Sequence, residues 1–205
     1  MDKGQAPIFF GCGVRHPRRV TGIEFAEVFS VRGPVSAFCT GFEGPMGDSA
    51  FILKKIYSPK NIPAYNNKKI LIPHLRNLKT ASHIFRDTDV EVVSPLVEGG
   101  KEELLKIIDK TTSSSFVYAD SLHAGIIATI YDIPFCFCNF GFIDIPTKYI
   151  DFAASIGADF FWINGLDSNA LKDASPLKYG AAFKRFNLSP LLIAFDSLAE
   201  RIKRG

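Results

Sequence analysis

Residues 116–138 read Phe116-Val117-Tyr118-Ala119-Asp120-Ser121-Leu122-His123-Ala124-Gly125-Ile126-Ile127-Ala128-Thr129-Ile130-Tyr131-Asp132-Ile133-Pro134-Phe135-Cys136-Phe137-Cys138. Phe116-Val117-Tyr118 is a short apolar run ending at a polar turn, which predicts a strand. Ser121 to Tyr131 predicts an apolar helix, and Phe135 to Cys138 a second strand. Strands apolar on both faces, joined by a helix, imply a parallel sheet covered by helices on each side.

Outward from that stretch the alternation continues. Upstream lie a strand at Ile70-Leu71-Ile72 ending at Pro73-His74, a strand at Val90-Glu91-Val92-Val93, and a helix over Lys101–Lys110 with Leu104, Leu105, Ile107 and Ile108 at helical spacing. Downstream, Thr147–Ile156 reads as a helix, Phe160–Ile163 as a last strand and Pro190–Lys203 as a C-terminal helix. Nearer the N-terminus, Ile8-Phe9-Phe10 is a strand ending at Gly11, and Phe29-Ser30-Val31 a strand ending at Arg32-Gly33-Pro34. Pro34 suits the first position of a helix, where its missing N–H costs nothing. Asp48 is placed to cap a helix over Ser49–Ile56. Ser58–Lys68, rich in proline, asparagine and lysine, reads as a linker.

The chain has 205 residues, 47% hydrophobic and 22% charged, which excludes a disordered polymer and suffices for a core without disulfide or metal staples. A formal charge of +3 excludes a nucleic-acid-coating protein unless the charge is clustered. The cysteines Cys12, Cys39, Cys136 and Cys138 have no zinc-ligand spacing and read as buried free thiols of a reducing compartment. Met1-Asp2-Lys3-Gly4-Gln5 is followed by no signal-peptide core. Asp132, Pro134 and Asp144 interrupt the most apolar stretch, so a membrane span is not expected.

Open α/β sheets place ligands at the carboxyl ends of strands, beside helix N-termini, and the candidate residues come from those loops. Asp120 or Ser121 can cap the helix that follows the Tyr118 strand, and His123 would then sit in its first turn. The dipole there attracts an anion and disfavours a charged imidazole, so His123 reads either as a proton carrier or as a packed histidine at the edge of an apolar helix. Arg32 leaves a strand end and reads either as a two-pronged clamp on a carboxylate or phosphate or as half of a structural salt bridge. Gly11-Cys12-Gly13 is a glycine turn beside Arg15, His16, Arg18 and Arg19, which could draw an acidic substrate or form a solvated loop. The turn lacks the third glycine of a dinucleotide fingerprint. His74 occupies a strand end, and Lys148, near Asp144, could neutralise a ligand charge.

Four blocks in order then resemble the polysaccharide pyruvyl transferase family. Phe10-Gly11-Cys12-Gly13-Val14 resembles its glycine-turn strand. Ser30-Val31-Arg32-Gly33-Pro34-Val35-Ser36-Ala37, followed by Met46-Gly47-Asp48-Ser49-Ala50-Phe51-Ile52-Leu53, resembles its VRGP and GDPA-type pair. Ile72-Pro73-His74 resembles its PH strand end. Ser121-Leu122-His123-Ala124-Gly125-Ile126-Ile127-Ala128, with Pro134 and Lys148 downstream, is similar to its LH helix start. The blocks span most of residues 8–156, and the nearest flavour is the ketal-forming branch of exopolysaccharide biosynthesis.

The resemblance implies a Rossmann-like, GT-B-like architecture: residues 1–57 as the tail of an N-terminal lobe, 58–68 as linker, and 69–205 as the C-terminal lobe, its last helix crossing back. It implies transfer of a pyruvyl unit from phosphoenolpyruvate to two hydroxyls of a sugar, with no metal or redox cofactor. The acceptor would be a sugar or lipid-linked oligosaccharide, the location cytoplasmic, and any membrane association peripheral, through the acceptor. His123 and Arg32 carry over as the acid/base and donor-binding residues, with Arg15, Arg18, His74, Ser121, Lys148, Gly11 and Gly13 as substrate contacts. Two departures stand out. Ser121 occupies the place where many members have arginine, and about the first third of a typical member has no counterpart before Ile8. They keep two alternatives open: a truncated, non-catalytic lobe that binds a glycan or partner, and a GT-B glycosyltransferase using a nucleotide sugar.

Overall fold

The structure, a computed structural model, describes residues 6–177 and 179–204. In chain order its strands and α-helices are β1 (Ile8–Phe9), β2 (Glu27–Val28), α1 (Pro34–Thr40), α2 (Leu53–Ile56), β3 (Lys69–Ile72), α3 (Leu78–Ile84), β4 (Val90–Val92), α4 (Lys101–Ser113), β5 (Phe116–Ala119), α5 (Leu122–Ile130), β6 (Phe135–Asn139), α6 (Pro146–Ser155), β7 (Ile163–Asn164), α7 (Ser168–Lys172), α8 (Tyr179–Arg185) and α9 (Ser189–Lys203). The chain divides into two compact units. The first holds the described residues up to Ile52, Ile145–Asp159 and the segment from Arg185 on; the second holds Leu53–Asp144 and Phe160–Lys184.

The second unit is an α/β layer of the Rossmann-like kind. Its five-stranded sheet runs in the order β4-β3-β5-β6-β7, every pairing parallel. The cause lies in the strand composition. Ile70, Leu71, Val117, Ala119 and Phe135 through Cys138 are buried on both faces, so helices must cover both. Phe135 and Phe137 meet edge-on at 5.2 Å, while Cys136 and Cys138 point to the other side, into a cluster with Leu71, Tyr118, Phe85 and Phe140. Each such phenylalanine contributes about 1.5–3 kcal/mol by leaving water. Burial raises the Cys136 thiol to about 12 and pushes the Cys138 thiol well above its ordinary range, so both stay protonated and inert.

Residues 58–68, expected to be a linker, are strapped onto α4 of the same unit. The Tyr57 hydroxyl and the Lys60 N–H both donate to Asp109 Oδ1, at 2.7 and 2.8 Å, and the Ile62 N–H donates to Ser113 Oγ at 2.8 Å. Tyr65 is buried, with Lys68 and Lys110 over its ring. Composition shows the absence of regular structure here; it does not show that α4 side chains satisfy the backbone. Two further elements differ from expectation. The last strand begins at Ile163, because Phe160 stacks edge-on against Trp162 at 4.5 Å and packs on Phe137 instead of joining the sheet. Ser49–Ile52 is a 3-10 turn that becomes α-helical only at Leu53.

The first unit pairs β1 and β2 in parallel and extends them by bridges from Cys12 to Val31 and from Val31 to Met46. This is why the strand expected at Phe29–Val31 is Glu27–Val28, with Val31 rejoining later: Gly11 N–H bonds the Ser30 carbonyl at 3.0 Å and its Oγ at 2.7 Å in between. The N-terminus of α1 is closed by Asp151 of α6, which accepts from Val35 N and Ser36 N at 2.9 and 3.2 Å and from the Ser36 hydroxyl. From α9, Phe195 packs on Phe10 at 5.9 Å and Arg201 forks onto Glu27.

Candidate functional site

In the second unit, β3 lies between β4 and β5, so the connections leaving the carboxyl ends of β3 and β5 diverge to opposite sides. Such a switch point leaves a crevice outside the strand ends, where open α/β sheets bind ligands. His74 follows β3, and Ser121 and His123 follow β5. Three of the sequence-derived site residues therefore come together at this end.

The residue that joins the two turns is Asp120. It is 2% exposed, and its Oδ2 accepts from His74 N–H at 2.7 Å and from Asn77 Nδ2 at 2.9 Å. Asp120 N–H and Ser121 N–H both donate to the Ile72 carbonyl at 3.1 Å. Asn77, equally buried, reaches the loop after β6: its Nδ2 donates to the Phe142 carbonyl at 2.8 Å, and its Oδ1 accepts from Phe142 N–H at 3.2 Å. The ends of β3, β5 and β6 are thus clipped by one carboxylate and one amide. Burial pushes the Asp120 carboxyl above its ordinary range, more than the bonds from Asn77, His74 and Phe140 pull it back.

Of the two expected caps, Asp120 turns back toward the β3 end instead. Ser121 is the residue before α5, and its side chain makes no cap bond, so the first-turn N–H groups of α5 are not taken up by it. His123 is exposed in that turn, while Leu122, Ala124 and Gly125 around it are buried. It is not packed into the core. His74 is half-buried, with its ring 5.0 Å from that of Phe142, and its Nδ1 accepts Arg76 N–H at 3.2 Å. In the neutral ring the proton is therefore on Nε2.

Gly11, Gly13, Arg15, Arg18, Arg32 and Lys148 belong to the first unit. Arg32 is 8% exposed; its Nε donates to Asp48 Oδ2 at 2.7 Å, and its backbone N–H to Cys12 O at 2.9 Å. Its Nη1 is buried without a hydrogen-bond partner. A Cβ at position 13 would lie 2.1 Å from that Nη1, so Gly13 is bare because the guanidinium needs the space. At Gly11, φ is +65° and a Cβ would meet the Ser49 backbone N at 2.2 Å, which excludes any side chain. Cys12, unlike the other thiols, is exposed, and it lines a cavity of about 200 Å³ with Gly13, Val14 and Val31. Arg15 and Arg18 are exposed in the following loop, and Lys148 lies in the first turn of α6.

Asn77, Arg76 and Phe142 are the residues that sequence reasoning passed over, and Asp120 was read only as one of two possible caps. Asp120 stood inside the quoted motif, directly after a strand, and that position was the available signal. Asn77 and Phe142 act through pairing across 65 residues, which no local pattern reveals. Among the described residues, no group of three or more His, Cys, Asp or Glu could hold a metal ion, and no helix is long and apolar enough to cross a membrane. Compared with protein-family models, curated proteins and solved structures, the chain matches none.

Proposed function

We propose that the chain transfers a pyruvyl unit from phosphoenolpyruvate to two hydroxyls of a glycan sugar, in the cytoplasm, forming a ketal. On this reading the second unit is a GT-B-like C-terminal lobe, and the first holds the tail of an N-terminal lobe. The observation that carries the proposal is the meeting of the His74 and Ser121–His123 turns, locked by Asp120, at the β3/β5 switch point.

The chemistry suits those groups. Phosphoenolpyruvate presents a carboxylate and a phosphate, and the uncapped start of α5 with the His74 Nε2–H offers donors to an anion. His123, solvent-reachable and at the helix start, gives a proton to the methylene carbon. That makes the neighbouring carbon electrophilic, and a sugar hydroxyl adds to it, returning its proton to His123. The C–O bond to phosphate then breaks, a second hydroxyl closes the ketal, and its proton leaves on the phosphate. One proton gained by carbon and two lost by hydroxyls are accounted for by His123 and phosphate.

The test is phosphate release from phosphoenolpyruvate with a panel of oligosaccharide acceptors, together with the mass of the product. The expected result is stoichiometric phosphate and one pyruvyl ketal per acceptor, with His123→Ala lowering turnover by about a hundredfold or more. No phosphate with any acceptor, combined with thermal stabilisation by nucleotide sugars alone, would overturn the proposal in favour of glycosyl transfer.

A further inference from the structure

Arg76 was not among the candidates, yet it occupies the same strand ends. It lies two residues after His74, and its guanidinium carbon sits 4.5 Å from the centroid of the Phe142 ring. Phe142 is itself fixed, because Asn77 grips both its N–H and its carbonyl and ties them to Asp120. A guanidinium held over a ring by its charge keeps N–H donors for a second partner, and no hydrogen bond among the described residues uses those of the Arg76 side chain.

None of the ion pairs found among the described residues involves Arg76, and its side chain is exposed. Asp120, the buried acid of this site, accepts from His74 N–H and the Asn77 amide. A full positive charge is thus held by an aromatic platform, next to a histidine whose Nε2–H is a neutral donor, at the end of the sheet where ligands bind.

We infer that Arg76, held on Phe142, is the anion-binding residue of this site and grips the carboxylate or phosphate of a small ligand through its in-plane N–H groups. The inference deepens the proposed function by naming the group that holds the donor, and it rests on taking the β3/β5 end as the functional site.

Calorimetry on the full chain with three probes tests it: phosphoenolpyruvate, pyruvate as the carboxylate alone, and inorganic phosphate. Arg76→Gln should weaken phosphoenolpyruvate binding by about tenfold to a hundredfold while the circular dichroism spectrum and thermal midpoint stay unchanged. Phe142→Leu, which removes the platform and keeps an apolar side chain, should weaken binding in the same direction by less. The probe most affected by Arg76→Gln identifies which anionic group the arginine holds. If phosphoenolpyruvate fails to bind but phosphate or pyruvate binds in an Arg76-dependent way, the donor assignment falls and the role of Arg76 stands. Equal binding by wild type and Arg76→Gln, or no binding of any probe to the wild type, overturns the role of Arg76.

Discussion

Arg32 in the first unit and Arg76 in the second stand at comparable places, each following the carboxyl end of a parallel strand, and their surroundings are opposite. Arg32 is buried, and Asp48 neutralises it at 2.7 Å. Arg76 is exposed and stacked on Phe142 at 4.5 Å. A strand-end arginine is therefore not a ligand contact by position alone. What separates the two is a buried carboxylate within reach: Asp48 captures one guanidinium, while an aromatic ring merely steadies the other. Arg32 even carries the cost of an orphaned Nη1, about 1–3 kcal/mol for a buried donor, which suits a residue that organises the glycine turn.

Four substitutions can break or sharpen this contrast. The largest effect is expected for Asp48→Ala, which leaves Arg32 as a buried unpaired charge. Chemical denaturation should show a loss of about 3–5 kcal/mol, and a loss below about 1 kcal/mol would mean that Arg32 is solvated and available to ligands after all. Asn77→Ala should cost less, about 1–3 kcal/mol, by opening the clip between Asp120 and Phe142. Because it frees the ring under Arg76, it should also weaken phosphoenolpyruvate binding; binding that survived intact would show that Arg76 needs no platform.

The third effect is a slope, not a level. Burial raises the Asp120 carboxyl above its ordinary 3.8. Between the unfolded and folded values the native state therefore holds the extra proton, so this group's contribution is fully present below the unfolded value and is lost as pH rises through the folded one. Asp120→Asn should flatten that part of the stability–pH curve. A slope identical to wild type would show that Asp120 ionises as freely in the native state as in the unfolded one. The smallest expected effect is that of Arg76→Gln on stability, within about 0.5 kcal/mol, in contrast to its effect on anion binding. A larger loss would make Arg76 a structural residue like Arg32.

The α/β class was legible because the β3, β5 and β6 sequences are apolar on both faces, and the start of α5 because Ser121-Leu122-His123 opens a helix after one of them. The roles within the site were less legible. Arg32 stood out through its neighbours Gly33 and Pro34, but whether Asp48 would reach it depends on a bridge between Val31 and Met46 that has no local signature. Asp120 read as a cap because carboxylates favour helix starts; its actual partners, His74 and Asn77, lie more than 40 residues away. Helix α3 was hard to read although Leu78, Ala81 and Ile84 share one face, because it is only seven residues long and its start has no side-chain cap bond. That residues 58–68 are held on α4 was illegible because prolines and asparagines mark irregular backbone whether or not a helix holds it.

Helix α9 gives the first unit a particular order of events. Leu191, 1% exposed, packs under Gly47, Phe195 meets Phe10, and Arg201 grips Glu27, so the last helix of the described chain completes the core begun by its first strand. During synthesis at about 5–20 residues per second, β1 and β2 emerge early and must wait for the whole of the second unit to pass before their closing partner exists. The usual amino-to-carboxyl sequence of domain formation is inverted here. The second unit can acquire its sheet while the first is still an open strand pair, and a ribosome stalled short of residue 185 would release a chain with half of its architecture finished and the other half exposed to chaperones.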